Sequence, residues 1–306
     1  SEIPFVARAC AENKFRNAEM LSVLRGEDNR ERITDLYKKL LINQFHDILP
    51  GSHIHPVYED AMDDYKELET ELDKIIGTGS KYFNTLNFKR DALIFVPNRN
   101  GTATRCGEKG NWILPDIPAL SSANLRKAYF NSEWIEIGKT IETPYYSVRF
   151  NDDGSIASLY DKDLQREWVN GDFNKLKLYS DCPGNYDAWD ILPNYKDKQI
   201  DIAVAAPLSL AEKDNESASF VTELKTENST WKMIIRLFRR SRGIEVENIV
   251  NWNEKHKLAK AEFGCNVLTR KALCDTSAGF IERDTHKNTS WQQARFETCH
   301  HKWCDL

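Results

Sequence analysis

Leu40-Leu41-Ile42-Asn43-Gln44-Phe45-His46-Asp47-Ile48-Leu49-Pro50-Gly51-Ser52 decides how the first part of this chain is read. An apolar helical run reaches a histidine and an aspartate and is then stopped by Pro50-Gly51, a pair that marks sharp exits. At about 100° per residue, Ile33, Leu36, Tyr37, Leu40, Leu41 and Gln44 share one arc of this helix. His46 falls about 150° from the centre of that arc, on the side of Ile42. The imidazole is therefore expected to point away from the helix's own core, from a second, partly apolar face, and toward a neighbouring domain. A metal-ligand type beside a carboxylate at a helix end is a candidate metal corner. A solvated or hydrogen-bonded histidine is the plainer alternative. His53 and His55 add two imidazoles in the turn, and whether they join the site stays open.

Working outward, residues from about 8 to 76 carry three helical periods. The first places Ala11, Phe15, Ala18 and Leu21 on one stripe and stops at Arg25-Gly26-Glu27-Asp28-Asn29. The second ends on the quoted stretch. The third repeats Val57, Ala61, Tyr65, Leu68, Leu72 and Ile75, near a heptad, with Glu59, Asp60, Asp63, Asp64, Glu67, Glu69 and Glu71 covering a solvated face. Short connections predict an antiparallel three-helix bundle.

Beyond Lys81 the period changes. Ala92–Asn98 predicts a buried strand, Trp112–Pro115 a short apolar run, and Trp134–Gly138 an alternating strand. Tyr145–Phe150, Asn151-Asp152-Asp153-Gly154 and Ser155–Asp161 predict a hairpin around an Asp-Gly turn. Ala203–Leu210, Ala218–Leu224, Trp231–Arg239 and Gly243–Trp252 are further strand candidates. The predicted fold class is α+β and multidomain. A bundle over residues 1–80 and a small β segment over 81–137 precede an antiparallel β-sandwich over 138–306.

The 306 residues are 41% hydrophobic and 29% charged, the balance of a soluble globular chain long enough for two domains. A net charge of −5 leaves no basic footprint for nucleic acid. No apolar run approaches the roughly 18 residues of a membrane span. The start, Ser-Glu-Ile-Pro-Phe, has no initiator Met and no signal core, and reads as processed or truncated. Seven cysteines without a disulfide framework point to a reducing cytoplasm. Cys299-His300-His301-x-x-Cys304 has no second ligand pair and reads as buried strand or helix residues rather than a zinc site.

Two polar clusters stand out. Tyr186-Asp187-Ala188-Trp189-Asp190 sets two aromatics and two carboxylates in five residues. That combination suits sugars, whose rings stack on aromatics and whose hydroxyls donate to carboxylates. A loop pinned by a buried Trp189 is the alternative. Arg283-Asp284-Thr285-His286-Lys287-Asn288-Thr289-Ser290-Trp291 reads as a cleft-lining loop or an ordinary polar one.

Taken in order, these pieces resemble glycoside hydrolase family 38, the retaining α-mannosidases. Asn43–Ser52 with Val57-Tyr58-Glu59-Asp60-Ala61 is similar to the signature of the family's middle helical domain. Tyr186–Asp190 resembles a motif of its bacterial and cytosolic branch. Thr285-His286-x-Asn288-Thr289-Ser290-Trp291, Ala294-Arg295-Phe296-Glu297 and His301-Lys302-Trp303 resemble that branch's C-terminal sandwich.

The resemblance implies a mutarotase-like sandwich and one zinc ion held by two histidines and two aspartates. One of those aspartates would be the nucleophile, and a further Asp the acid/base. His46 matches the zinc ligand of the helical domain, and Asp47 the next carboxylate, which contacts a sugar hydroxyl. The remaining ligands and the catalytic carboxylates belong to an N-terminal α/β domain absent from these residues, so no catalytic residue is assigned here. The sequence reads as an internal fragment, inactive alone, binding zinc weakly or not at all, and prone to self-association through surfaces meant for the missing domain. Tyr186, Asp187, Trp189 and Asp190 are the candidate substrate contacts. The competing function is a non-catalytic carbohydrate-binding module using that loop, with His46 incidental.

Overall fold

Three helices form where the sequence carries its longest apolar stripes. In the computed structural model, which describes residues 4–77, 82–90, 93–101, 103–105, 108–113, 116–123, 135–137, 139–187, 190–214, 216–276 and 279–306, they are α1 (Pro4–Arg25), α2 (Arg30–Asn43) and α3 (His55–Ile76). Ala11, Phe15 and Ala18 meet Ile33, Leu36 and Leu40, and Tyr65, Leu68, Leu72 and Ile75, in one buried cluster. Phe15 stacks on Tyr37 at 4.0 Å. Gly26, at φ 69°, ends α1: its N–H and that of Glu27 donate to Val23 and Ser22 carbonyls, a left-handed cap that few residues other than glycine accept. Pro56 sits in the first turn of α3, where its missing N–H costs nothing. Arg25 donates to the Ile75 and Ile76 carbonyls at 3.2 and 2.8 Å, tying the end of α1 to the negative end of α3.

Two expectations change here. Leu41 is 61% exposed, so it lies outside the buried arc of α2. The acidic face of α3 is also partly committed rather than wholly solvated. Lys39 bridges Asp64 and Glu67, Lys14 bridges Asp73, and Arg32 bridges Glu71.

The strands that follow are short: β1 (Tyr82–Asn84), β2 (Ile94–Pro97), β3 (Ala103–Arg105), β4 (Glu108–Ile113) and β5 (Ser121–Ala123). β1 pairs antiparallel with β5, and β3 forms a hairpin with β4. Asn84 is fully buried and its amide donates to the carbonyls of Phe88, Ile117 and Pro118 at 2.7, 3.0 and 3.0 Å. The strand expected at 92–98 is half-buried over Ile94–Val96, and Ala92 lies outside the described residues, as do Leu114, Pro115, Trp134 and Gly138. Contacts divide the chain into two compact units, Ser1–Asn98 with Asn111–Ala128, and Arg99–Gly110 with Tyr129–Leu306.

The second unit is antiparallel throughout its described pairings. β6 (Ile135–Ile137), β7 (Thr140–Glu142), β8 (Tyr146–Phe150), β9 (Ile156–Asp161) and β10 (Arg166–Glu167) form one five-stranded sheet. The β8–β9 hairpin turns on Asn151-Asp152-Asp153-Gly154 as predicted. Gly154 takes φ 81°, and a Cβ there would meet Met233 Sδ at 2.8 Å. β11 (Val169–Ser180) lies between β12 (Gln199–Ile200) and β17 (Lys257–Cys265). β13 (Ala203–Lys213), β14 (Ser217–Lys225), β15 (Thr230–Phe238) and β16 (Ile244–Asn251) make a four-stranded meander over the four strand candidates of the sequence.

Ile141, Val148, Phe150, Ile156 and Leu159 of the five-stranded sheet share one core with Leu176 of β11 and Phe220, Met233, Ile235 and Leu237 of the meander. Burying the inner faces of stacked sheets is what makes this a sandwich. From Met233 to Phe238, β15 is buried on both faces. Its Arg236, wholly inaccessible, reaches Glu245 Oε1 at 2.9 Å and Ser219 Oγ at 3.1 Å, both cross-strand neighbours. β18 (Lys271–Thr276), β19 (Gly279–Asp284) and β20 (Cys304–Asp305) form the last sheet, and α4 (Ser290–Ala294) is a single turn. No described helix is long and apolar enough to cross a membrane.

Candidate functional site

α2 stops at Asn43, three residues before His46, so helical phase does not carry to the histidine. Asn43 is buried, and its amide donates to Asp64 Oδ2 on α3 at 2.9 Å and to the Lys39 carbonyl at 3.1 Å. The chain then tightens: Gln44 and Phe45 donate to Leu41 and Ile42 carbonyls, Ile48 and Leu49 both to Phe45, and Gly51 turns at φ 79°.

The tightened turn still aims His46 outward, with 73% of its side chain exposed. Its Nε2 lies 3.7 Å from Asp47 Oδ1 and its ring 4.2 Å from that of Phe45. Leu41, Ile42, Phe45 and Ile54 are exposed apolar side chains of the same helix end and turn. His53 and His55 are engaged at the start of α3: His53 Nδ1 lies 3.1 Å from the Ile54 carbonyl, and His55 Nε2 lies 3.5 Å from Glu59 Oε1. Among the described residues no three His, Cys, Asp or Glu side chains converge on a metal-sized space. The donor set at His46 is one free imidazole and one carboxylate, which fits part of a zinc shell and not a whole one.

In the second unit, Tyr186, Asp187 and Asp190 are all exposed. Tyr186 takes φ 56°, unusual for a bulky side chain, and its carbonyl accepts from the Asp190 N–H at 2.9 Å, closing the loop. Asp187 Oδ2 is 3.4 Å from His256 Nδ1. Trp189 lies outside the described residues. The Arg283–Trp291 stretch is split between the end of β19 and α4, and borders a cavity of about 340 Å³ with Gln292 and Arg295. Thr289 and Gln292 form a capping box there. Cys299, His300, His301 and Cys304 are exposed, not buried as expected. Asp275 holds this segment instead, accepting the N–H groups of His301, Lys302 and Trp303 at 2.7–3.0 Å.

A further polar cluster, on β11 and β17, was not anticipated. Tyr179 donates to Glu262 Oε1 at 2.6 Å, and Lys177 lies 2.9 Å from Glu262 Oε2 and 2.8 Å from Asp172. Tyr195 donates to Glu297 Oε1 at 2.7 Å, and Lys260 donates to Glu297 Oε2 at 2.6 Å. The two tyrosine rings meet edge to face at 4.9 Å. Burial and then the Glu262 hydrogen bond push the Tyr179 hydroxyl up to about 12, and burial with Glu297 raises Tyr195 likewise. Burial raises the Glu262 and Glu297 carboxyls, but their tyrosine and lysine partners more than reverse this and hold both below the usual range. The alternations Lys175-Leu176-Lys177-Leu178-Tyr179 and Leu258-Ala259-Lys260-Ala261-Glu262 were the available signal for the strands, though not for the pairing.

Residues 7–83 match the alpha mannosidase middle domain, and residues 141–306 match the glycosyl hydrolases family 38 C-terminal domain. Alpha-mannosidase 2C1 of Mus musculus is 26% identical over 297 residues, covering 90% of this chain and 28% of that protein. The yeast Saccharomyces cerevisiae alpha-mannosidase is 25% identical over 300 residues, covering 90% of this chain and 26% of its own length. The chain thus spans little more than a quarter of these relatives. The crystal structure of an alpha-mannosidase from Enterococcus faecalis V583 superposes with a TM-score of 0.69 at 11% identity, covering 94% of this chain and 45% of that one, a likeness of fold. The C-terminal match alone takes in more than half of the residues and follows the middle-domain match in order, and the chain belongs to glycosyl hydrolase family 38.

Proposed function

We propose that these residues are the middle and C-terminal part of a retaining, zinc-dependent α-mannosidase acting on α-mannosides of glycans or small mannosides. The observation that carries the reading is the His46 corner. A histidine held just past a helix end, side chain 73% exposed and beside Asp47, is presented outward among exposed apolar side chains. That is the posture of a ligand completed by groups from another domain, in cis, rather than of a histidine serving its own bundle. Zinc, when bound, supplies Lewis-acid contacts to sugar hydroxyls. His46 would hold one coordination position as the neutral imidazole, and Asp47 would accept a hydroxyl or orient the imidazole. Tyr186, Asp187, Trp189 and Asp190 would contact substrate. Retention needs two carboxyl groups about 5–5.5 Å apart across the anomeric carbon, and neither role is given to a carboxylate of this chain. Alone, the chain should bind zinc weakly and turn over no mannoside. The odd cysteine count supports a reducing, cytoplasmic location.

The test is the protein translated from the natural gene that carries these residues. It is expected to hydrolyse 4-nitrophenyl α-mannoside, with His46→Ala lowering zinc content and rate about tenfold or more. Full activity and zinc content in His46→Ala would overturn the reading. Glycan binding lost on Trp189→Ala but indifferent to His46→Ala would replace it with a carbohydrate-binding module.

A further inference from the structure

We propose that the face shared by β11 and β17 is a binding site for a neutral, polyhydroxylated ligand, a sugar, gripped by the carboxylates of Glu262 and Glu297 and the ammonium of Lys260. The site lies wholly in the second unit and makes no use of His46 or of the loop at 186–190.

Four observations carry it. First, a concavity of about 540 Å³ opens on these side chains, within the range of about 300–1,000 Å³ of small-molecule sites. Second, its charges cancel. Its lining sets Asp172, Glu262 and Glu297 against Lys196 and Lys260, and Lys177, outside the lining, pairs with Asp172 and Glu262, so the net field is small while strong donors and acceptors stand close together. Third, the acceptors are set in place. In both Glu262 and Glu297 one oxygen takes a buried tyrosine hydroxyl and the other a lysine, and each oxygen keeps a lone pair. These side chains are 29% and 33% exposed, so the free lone pairs remain reachable. Fourth, Phe263 borders the same concavity with half its surface exposed and adds apolar area at its rim.

The network faces solvent through its carboxylates and buries the tyrosines that orient them: Tyr179 and Tyr195 are 2% and 1% exposed. The two tyrosines are positioning residues, since their hydroxyl protons are already committed. Holding acceptors in their bound geometry lowers the ordering cost of binding. Neutral sugars, which donate from adjacent hydroxyls and accept from lysine, match this layout.

Backbone-amide shift titrations of the 306-residue chain test it, with the methyl glycosides of mannose, glucose and N-acetylglucosamine as probes and inorganic phosphate as a control. Saturable shifts on β11 and β17 are expected with at least one glycoside, weakened about tenfold by Glu297→Gln and by Asn170→Ala. Asn170 is an exposed lining residue, so its truncation spares the fold. His46→Ala should leave this binding unchanged, which separates the outcome from that of the zinc reading. No saturable shift with any glycoside up to about 100 mM, saturation by phosphate alone, or sugar affinity unchanged in both variants would overturn the proposal.

Discussion

The Tyr195 hydroxyl donates to Glu297 Oε1 at 2.7 Å, joining residues 102 positions apart. Tyr195 stands in the short helical turn Tyr195–Lys198, almost fully buried, and Glu297 lies just beyond α4. The bond anchors the segment after α4 to that turn, and Lys260 of β17 ties the same carboxylate to the sheet. Tyr195→Phe removes the donor and leaves Glu297 with Lys260 and water. The expected loss is about 0.5–1.5 kcal/mol, because the stranded acceptor stays partly hydrated. Urea unfolding with an unchanged slope checks it.

Tyr179 supplies a pH dependence. Its folded value is raised from the ordinary 10 to about 12, so the native state favours the protonated phenol. The stabilisation is complete below about pH 10 and is lost as pH rises through about 12. Tyr179→Phe should flatten the alkaline fall in thermal midpoint, measured between pH 9 and 12. The absorbance titration of the variant should lack one high-titrating tyrosine.

Glu216 acts in the opposite range. Its carboxyl oxygens are buried without a hydrogen-bond partner among the described residues, and burial pushes it up to about 7. Arg240 and Arg239 draw it down and Asp214 pushes it up, without cancelling the burial. A raised carboxyl contributes stability below its unfolded value that is lost as pH rises through about 7. Glu216→Gln should therefore raise the thermal midpoint at pH 8 and change it little at pH 4. Each tenfold difference in proton affinity between the folded and unfolded chain is worth about 1.4 kcal/mol.

Gly264 lets β17 approach the irregular start of β11. A Cβ there would lie 2.2 Å from the Asn170 carbonyl oxygen and 2.8 Å from that of Asp172. Both obstacles are backbone, so Gly264→Ala must shift a strand. The expected cost is about 1–3 kcal/mol, read by chemical denaturation. Exchange protection should fall first at Val169 and Phe173, the partners of Cys265 and Phe263.

The exposed apolar side chains around His46 predict self-association. Leu41, Ile42, Phe45 and Ile54 face solvent at one end of the bundle. Light scattering of the chain should show mass rising with concentration, and Ile42→Asp with Phe45→Ser should suppress the rise without lowering the thermal midpoint. A clean monomer at high concentration would count against that role for this face.

Much of the first unit was legible because burial in a helix bundle is a property of single elements. Ala11, Phe15, Ala18, Leu68 and Leu72 recur at helical spacing, and each is buried. The Asp-Gly turn at Gly154 was legible for the same local reason: one residue must take positive φ. His46 was expected to face outward, and does, but by another route. α2 ends at Asn43, whose side chain reaches across to Asp64, an inter-helix bond that no period along α2 contains. Leu41 left the core for a similar reason, since which flank of an arc is covered depends on where the other helices lie.

The polar groups on β11 and β17 were legible as residue types and not as a cluster. Tyr179 meets Glu262 across 83 positions and Tyr195 meets Glu297 across 102. The first contact follows from a register that sets Lys177 opposite Lys260, and the second from the turn of the last segment over it. The sequence by itself determined the helices and the hairpin, because local periodicity and backbone conformation are enough for those. Only tertiary structure decided which carboxylate meets which tyrosine and lysine, because strand register and long-range packing bring together groups whose separation along the chain carries no signal.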